Sequence, residues 1–143
     1  MADIAFNADI AERFKGPATG QGGIVEFLGF EITDAGPGTM DAKMVVSDDL
    51  ITGFGNMHGG VLSAFCDHML GCVCYPAMQK GQWAATTEFK INLTRPVSGG
   101  VVTAHAEIMN MTRTQAVVRI ELENDGRVCA MAQGTCTIMA PRK

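Results

Sequence analysis

The 143-residue sequence has few charges and no run of like charge. Its 11 lysines and arginines are scattered among 15 acidic residues, for a net charge of −4, which excludes the basic patch of a nucleic-acid-binding protein. No apolar stretch approaches the ~20 residues of a transmembrane helix, and the first residues lack the basic start and apolar core of a secretory signal. These absences predict a cytoplasmic protein that binds neither nucleic acid nor membrane.

The sequence also lacks the paired spacing of cysteines that is typical of disulfide, redox or metal sites. The five cysteines are an odd number, and no C-x-x-C pair occurs among them, so neither a redox motif nor a zinc site is indicated. Reduced and mostly buried thiols fit this pattern best. His58 and His68 stand ten positions apart without a supporting pair of acids and resemble no metal motif. We therefore predict no bound metal ion and no cofactor.

What the sequence does contain is a series of β-rich runs around one apolar helix. With 47% hydrophobic residues, its size predicts one domain over residues 1–143. Asn7 is placed to cap a short amphipathic helix over about residues 7–15. The other predicted elements are a hairpin of strands at 24–34 and 39–47, a long helix at about 58–79, and strands at 84–94, 100–111, 116–123 and 128–139.

The long central helix is apolar on nearly every face, which constrains the sheet. Strands before and after such a helix bury it only by curling around it. That arrangement is the α+β hotdog fold, a curved antiparallel sheet wrapped around one long central helix. The remaining face and edge of the sheet favour a partner, so we expect self-association.

The start of the central helix carries the first chemical signal. Gly59 and Gly60 are adjacent at a loop-to-helix junction, which leaves backbone N–H groups uncovered at the positive end of the helix dipole. Such groups suit a ligand oxygen that is gaining negative charge. Asp67 follows within the apolar helix, where a carboxylate is partnered, perturbed in pKa, or used in chemistry. Alternatively, the glycines permit close helix packing and Asp67 is a satisfied buried acid.

The spacing of these residues bears on assembly. Gly59 and Asp67 lie about 12 Å apart along one helix, at ~1.5 Å per residue, so one carbonyl group cannot contact both. If both serve one reaction, the helix N-terminus comes from one subunit and the acid from another. The sequence thus predicts a site at a homodimer interface, with a homotetramer as the further expectation.

The ordered set Gly55, His58, Gly59, Gly60 and Asp67 resembles the helix start of the hotdog-fold acyl-CoA thioesterases of the phenylacetate-degradation (PaaI-like) type. The resemblance covers roughly residues 24–140 and continues in the segments AATTEFKINLTRP and GRVCAMAQGTCTIM. It implies hydrolysis of acyl-CoA thioesters to free acid and coenzyme A. Coenzyme A would then be part of the substrate, and no separate cofactor is implied.

The resemblance also implies catalytic roles. Asp67 is expected to act as general base or nucleophile, and the backbone N–H of Gly59 to polarise the thioester carbonyl. Thr86, on the central strand, is expected to help hold the water, a role that the neighbouring Thr87 can share. For His58, a structural hydrogen bond that shapes the loop is favoured over proton transfer.

Substrate binding is implied for a second set of residues. Gly60 belongs to the same helix start, and Arg95 and Arg113 are expected to meet the phosphates of coenzyme A. One position departs from the family, because Thr52 stands where an Asn or Gln often precedes the His by six residues. Asn56 either replaces that missing amide or caps the central helix, and the cap is favoured.

Two other functions stay open at this stage. A hotdog hydratase or dehydratase on acyl thioesters needs a His close to an acid, and His58 and Asp67 can approach each other only across a dimer. A non-catalytic acyl-CoA-binding protein would keep the pocket without turnover. The departure at Thr52 is compatible with that second alternative.

Overall fold

The computed structural model describes residues 3–141, which form one sheet and three α-helices. The helices are α1 (Ala8–Phe14), α2 (Gly23–Leu28) and α3 (Gly59–Cys72). The strands are β1 (Gly16–Pro17), β2 (Glu31–Gly36), β3 (Thr39–Val45), β4 (Trp83–Leu93), β5 (Val101–Met111), β6 (Gln115–Asn124) and β7 (Arg127–Met139). Two short 3-10 turns cover Asp48–Leu50 and Tyr75–Ala77.

The seven strands form one antiparallel sheet in the order β1-β2-β3-β5-β6-β7-β4. The β6–β7 connection is the tight hairpin that Asn124-Asp125-Gly126 predicts, since Asp125 and Gly126 have positive φ values of 53° and 71°. β4 follows α3 in the chain and pairs only with β7 among the described strands. The eleven-residue β4 is therefore an edge strand.

Helix α3 packs one face on the sheet and leaves another open. Its fully or nearly buried side chains are Leu62, Phe65, Cys66, Met69, Leu70 and Cys72. The opposite face, which carries Gly60 and Asp67, is not covered by strands, because the sheet does not close. The expectation that strands surround the helix is thus only partly met. Among the described residues, no helix is long and apolar enough to span a membrane.

The predicted strand at 24–34 is wrong in its first half. Residues Gly23–Leu28 form helix α2, and β2 begins only at Glu31. The carboxylate of Glu26 accepts the backbone N–H groups of Gly20 and Gly22 at 3.0 and 2.5 Å. Gly29, with φ of 72°, then ends the helix in the left-handed conformation. These local caps outweigh the β-propensity of the apolar run.

The central helix is also shorter than its apolar run predicts. It ends at Cys72 instead of near residue 79, and a 3-10 turn follows at Tyr75–Ala77. Pro76 lacks the backbone N–H that a continued α-helix would donate to the Cys72 carbonyl oxygen, which accounts for the early end. The helix predicted over 7–15 is present as Ala8–Phe14, and Asn7 caps it by accepting the N–H of Ile10 at 3.1 Å.

Gly134 on β7 permits the close approach of β4 and α3. A Cβ atom there would lie 2.6 Å from the carbonyl oxygen of Glu88 and 3.1 Å from Leu70 Cδ1, and would also overlap Phe89 Cβ. Because a backbone atom cannot move aside cheaply, the edge strand depends on this glycine.

We expect Gly134→Ala to lower the free energy of unfolding by about 1–3 kcal/mol through overpacking. Denaturant unfolding of the variant and of Gly99→Ala tests this. Gly99 has open space around its Cβ position and no positive φ, so its substitution should be neutral or slightly stabilising. Equal free energies of unfolding for the two variants would show that the stability does not depend on the close approach at Gly134.

Candidate active site

An open groove of about 1150 Å³ lies between the exposed face of α3 and the edge strand β4. Asp67 lines it from the helix, and Thr86 and Thr87 line it from the strand. With Gly60 at the start of the helix, the groove thus brings together four of the predicted site residues. Its other lining residues are Phe14, Gly60, Ser63, Ala64, His68, Gly71, Cys72, Tyr75, Ala84, Glu88 and Phe89.

The Asp67 carboxylate is exposed and makes no hydrogen bond or ion pair with any described residue. Within one chain, Asp67 is therefore neither buried nor paired. An unpaired carboxylate at the surface of the groove is free to accept a proton or to contact a ligand.

The two threonines differ in how their hydroxyl groups are used. A β-bulge between Thr86 and Glu88 turns the strand at this point. The Thr87 hydroxyl donates to the carbonyl oxygen of Thr135 at 3.1 Å. Among the described residues, the Thr86 hydroxyl has only the Cys136 thiol as a hydrogen-bonding neighbour, with an Oγ1–Sγ distance of 3.8 Å. Thr86 therefore keeps more hydrogen-bonding capacity for a ligand or water than Thr87 does.

The start of α3 shows which backbone N–H groups are free. His58 is the helix N-cap, and its Nδ1 accepts the N–H of Gly60 at 2.9 Å. The N–H of Gly59 has no acceptor among the described residues. A Cβ at Gly59 would lie 2.6 Å from Leu93 Cδ1, so glycine lets α3 begin against the end of β4.

Asn56 does not cap α3, which corrects the favoured role for this residue. Its side-chain amide donates to the adjacent Met57 carbonyl oxygen at 3.3 Å, and the cap position is occupied by His58. Imidazole is not among the usual N-cap groups, so cap preferences alone pointed to the asparagine. The structural role expected for His58 is present in the form of this cap.

Gly59 is separated from Asp67 and Thr86 within one chain, although the adjacent Gly60 lines the groove. Gly59 does not line the groove that holds Asp67. It lies against Leu93, seven residues along β4 from Thr86, which is roughly 23 Å at ~3.3 Å per residue. One chain therefore presents the acid and the free N–H at different places.

The two predicted phosphate-binding arginines lie at opposite ends of the sheet. The backbone N–H of Arg95 donates to Cys129 at 3.3 Å, near the start of β7. Arg113 lies in the β5–β6 turn. The next residue in that turn, Thr114, accepts through its carbonyl oxygen the N–H of Ile138, near the end of β7. Nine residues of β7 separate these points, roughly 30 Å. A single chain does not bring the two guanidinium groups together.

A third arginine lies beside Arg95. Arg127 and Arg95 line a cavity of about 410 Å³ that also includes Asn124 and Asp125. Sequence reasoning did not single out Arg127. The Asn-Asp-Gly hairpin signal just before it would have placed it at this end of the sheet.

With this geometry in place, comparison with known proteins gives the family. A model of the Thioesterase superfamily matches residues 54–130, from the loop before α3 into β7. The chain belongs to the Thioesterase superfamily. The matched span includes Gly59, Asp67, Thr86 and the edge strand, and it contains all of the groove's lining residues except Phe14.

Relatives in this superfamily agree in sequence and fold. The proofreading thioesterase EntH of Cronobacter turicensis is 28% identical over 123 residues, which cover 85% of this chain and 90% of that protein. A thioesterase structure from Haemophilus influenzae is 26% identical with a TM-score of 0.76, covering 81% and 82% of the two chains. The E. coli PaaI protein from the phenylacetic acid degradation operon shares the fold at 24% identity and a TM-score of 0.75, covering 81% and 83%.

These comparisons confirm the predicted hotdog fold and the PaaI-like resemblance. Membership of the superfamily, with relatives named as thioesterases, identifies the protein as a thioester hydrolase.

His68 is a groove residue of this thioesterase that sequence reasoning considered only for metal binding. Its ring packs on Phe30, with centroids 5.2 Å apart, and its Nε2 lies 3.5 Å from the Cys72 thiol. Burial lowers the pKa of His68 below its ordinary 6.5, against the opposing charge of Asp67. Burial likewise raises the pKa of Cys72 to about 12. Both groups are therefore neutral near pH 7, and Asp67 is the charged group that α3 contributes to the groove.

The depressed pKa of His68 predicts a loss of stability in acid. The unfolded chain, with a His pKa near 6.5, binds this proton more readily than the folded protein does. The stability present above about pH 6.5 is therefore lost as the pH falls through the window between the two pKa values. We expect the melting temperature to fall less between about pH 7 and about pH 5 in His68→Phe, which does not titrate, than in the wild type. Parallel pH profiles would contradict the assignment.

Proposed function

We propose that the protein hydrolyses acyl-CoA thioesters at a site shared between two copies of the chain. In each site, one copy supplies Asp67 as general base or nucleophile, and the other supplies the Gly59 backbone N–H as oxyanion donor. The observation that carries this proposal is the unpaired Gly59 N–H, which lies outside the groove that holds Asp67 and Thr86 in its own chain.

The edge strand supports a way to bring the two halves together. Within the part of the chain that the structure describes, β4 has no strand neighbour on one side, and a long exposed edge pairs readily with another chain. Antiparallel pairing of two β4 strands about a two-fold axis between Phe89 and Lys90 would set Leu93 of one copy opposite Thr86 of the other. Gly59 lies against Leu93 and would be carried toward the second copy's groove.

The same pairing would bring the two predicted arginines close enough to form a shared phosphate-binding site. Arg95 of one copy, two residues beyond Leu93, would face the Ala84 end of the other copy's β4. Ala84 pairs with Ile138, which bonds to the turn that holds Arg113. Arg95 and Arg113 would then approach from different copies, with Arg127 beside Arg95. Paired guanidinium groups match the phosphates of coenzyme A.

The chemistry needs few groups because a thioester carbonyl is already reactive. Acting as base, Asp67 takes a proton from a water held by Thr86, and the water oxygen attacks the carbonyl carbon. Acting as nucleophile, Asp67 forms an acyl anhydride that water then hydrolyses. In either case the developing oxyanion is stabilised by the Gly59 N–H at the positive end of the helix dipole. The C–S bond breaks as the oxyanion collapses, which gives the free acid directly in the first route and the anhydride in the second, and the coenzyme A thiolate takes up a proton.

Release of free thiol separates this function from its alternatives. Hydrolysis of an acyl-CoA frees the coenzyme A thiol, which a thiol-reactive dye detects. A hydratase or dehydratase would change the acyl group but leave the thioester intact, and a binding protein would change neither. Incubation with a panel of acyl-CoA thioesters should therefore produce a dye signal, and its absence for every substrate would contradict the proposal.

Asp67→Asn should keep the fold and lower kcat by at least about 10²-fold, because the amide can neither take a proton nor attack the carbonyl. Steady-state kinetics on the best substrate measure this, beside a thermal melt to confirm folding. Asp49→Asn is the matched control, since Asp49 is exposed and does not line the groove. An Asp67→Asn enzyme that keeps more than about a tenth of wild-type turnover would contradict the role of Asp67.

A further inference from the structure

A second cavity of about 290 Å³ lies behind the groove, beside β2 and the end of α1. Its walls are mixed: Val25, Phe30 and Ile32 form an apolar side, and Arg13, Lys15 and Gln21 form a polar side. Phe14 and His68 line both this cavity and the groove that holds Asp67. The two side chains therefore stand as a partition between the two spaces.

Phe14 is held in this partition by the docking of α1. The backbone N–H of Asn7, the cap of α1, donates to the carbonyl oxygen of Pro76 at 2.8 Å. At the other end of α1, the Phe14 ring packs on Tyr75 with centroids 5.2 Å apart and planes inclined by 34°. The helix lies outside residues 54–130, the span that the superfamily model matches. This wall is thus supplied by the N-terminal segment of this chain.

His68 completes the partition from the helix side. Its ring is packed against Phe30, a wall of the second cavity, and against the Cys72 thiol in the groove. Because burial holds the ring neutral near pH 7, it presents an uncharged surface. The groove next to it is lined by Ala64, Tyr75 and Phe89, which suit an acyl chain better than the phosphates of coenzyme A.

We infer that Phe14, with His68, is the end wall of the acyl-binding groove and limits the length of the acyl chain that the enzyme accepts. The inference rests on the proposed acyl-CoA hydrolysis. Straight acyl chains that end at Phe14 are accommodated beside Asp67, and longer chains meet the aromatic ring. The cavity behind the wall, which is apolar only on the side of Val25, Phe30 and Ile32, is room that the ring keeps from the substrate.

Substitutions that open or thicken the wall test this inference. Phe14→Ala should join the two cavities, and Phe14→Trp should shorten the groove. We expect kcat/KM over a series of saturated straight-chain acyl-CoA thioesters to shift toward longer chains in Phe14→Ala. Each further methylene that becomes buried should raise kcat/KM by roughly fourfold. In Phe14→Trp the preference should shift toward shorter chains.

A matched control separates this effect from general loss of packing. Phe27→Ala removes a ring of the same size from α2, where the side chain is 72% exposed and lines neither cavity. Its chain-length profile should equal that of the wild type. If Phe14→Ala fails to fold in thermal melts, Phe14→Leu and Phe14→Trp carry the test, since both keep a large apolar side chain.

The outcomes distinguish a failure of the end wall from a failure of the proposed hydrolysis. Wild-type hydrolysis with the same chain-length profile in every folded Phe14 variant would overturn the end wall and leave acyl-CoA hydrolysis standing. A wild-type enzyme that releases no thiol from any member of the series would instead overturn the proposed function, and the end wall with it.

Discussion

The rigid rise of α3 sets the distance between its first backbone N–H and Asp67, and the rest of the site follows from that distance. His58 accepts the N–H of Gly60 and so fixes where the helix begins. The absence of a side chain at Gly59 lets that first turn rest against Leu93, at the far end of β4 from Thr86. A helix cannot bend to bring its own N-terminus to a residue two turns along it. A reaction that uses both groups therefore calls for two copies.

The groove is electrostatically simple, which suits a single carboxylate. His68 and Cys72 are neutral because burial disfavours their charged forms. Asp67 forms no ion pair within residues 3–141, and its groove neighbours on the helix are small apart from the neutral His68. A carboxylate next to low-dielectric walls interacts more strongly with a developing charge or a bound water than one in bulk solvent does. No triad or metal is needed to rationalise hydrolysis of a thioester in such a place.

Periodicity in the sequence was enough to predict much of the fold. The strands β4 to β7 lie within about a residue of the predicted bounds because alternation and the Asn-Asp-Gly turn are strong local signals. The strand prediction at 24–34 was wrong in its first half because the Glu26 side chain stabilises a short helix that residue propensities do not indicate. Helical spacing from Asp67 would have pointed to Gly60, Ser63 and Gly71 as the open face.

Other parts of the site depend on tertiary contacts and could not be predicted from the sequence. Phe14 reaches the groove only because α1 docks on the turn after α3, a contact that no local pattern encodes. The cap by His58 in place of Asn56 depends on the loop geometry before the helix. Arg95 and Arg113 lie apart in one chain, so any shared role depends on a second copy.

Mixing two inactive variants tests the shared site most directly. Gly59→Pro removes the N–H at a helix position that tolerates proline, whereas Gly59→Ala adds a similar Cβ and keeps the N–H, as the control. Asp67→Asn copies mixed with Gly59→Pro copies should regain activity after subunit exchange, because each heterodimer contains one site with both wild-type groups. The contradicting result is that no activity returns although both variants are folded and subunit exchange is confirmed. The site would then lie within one chain.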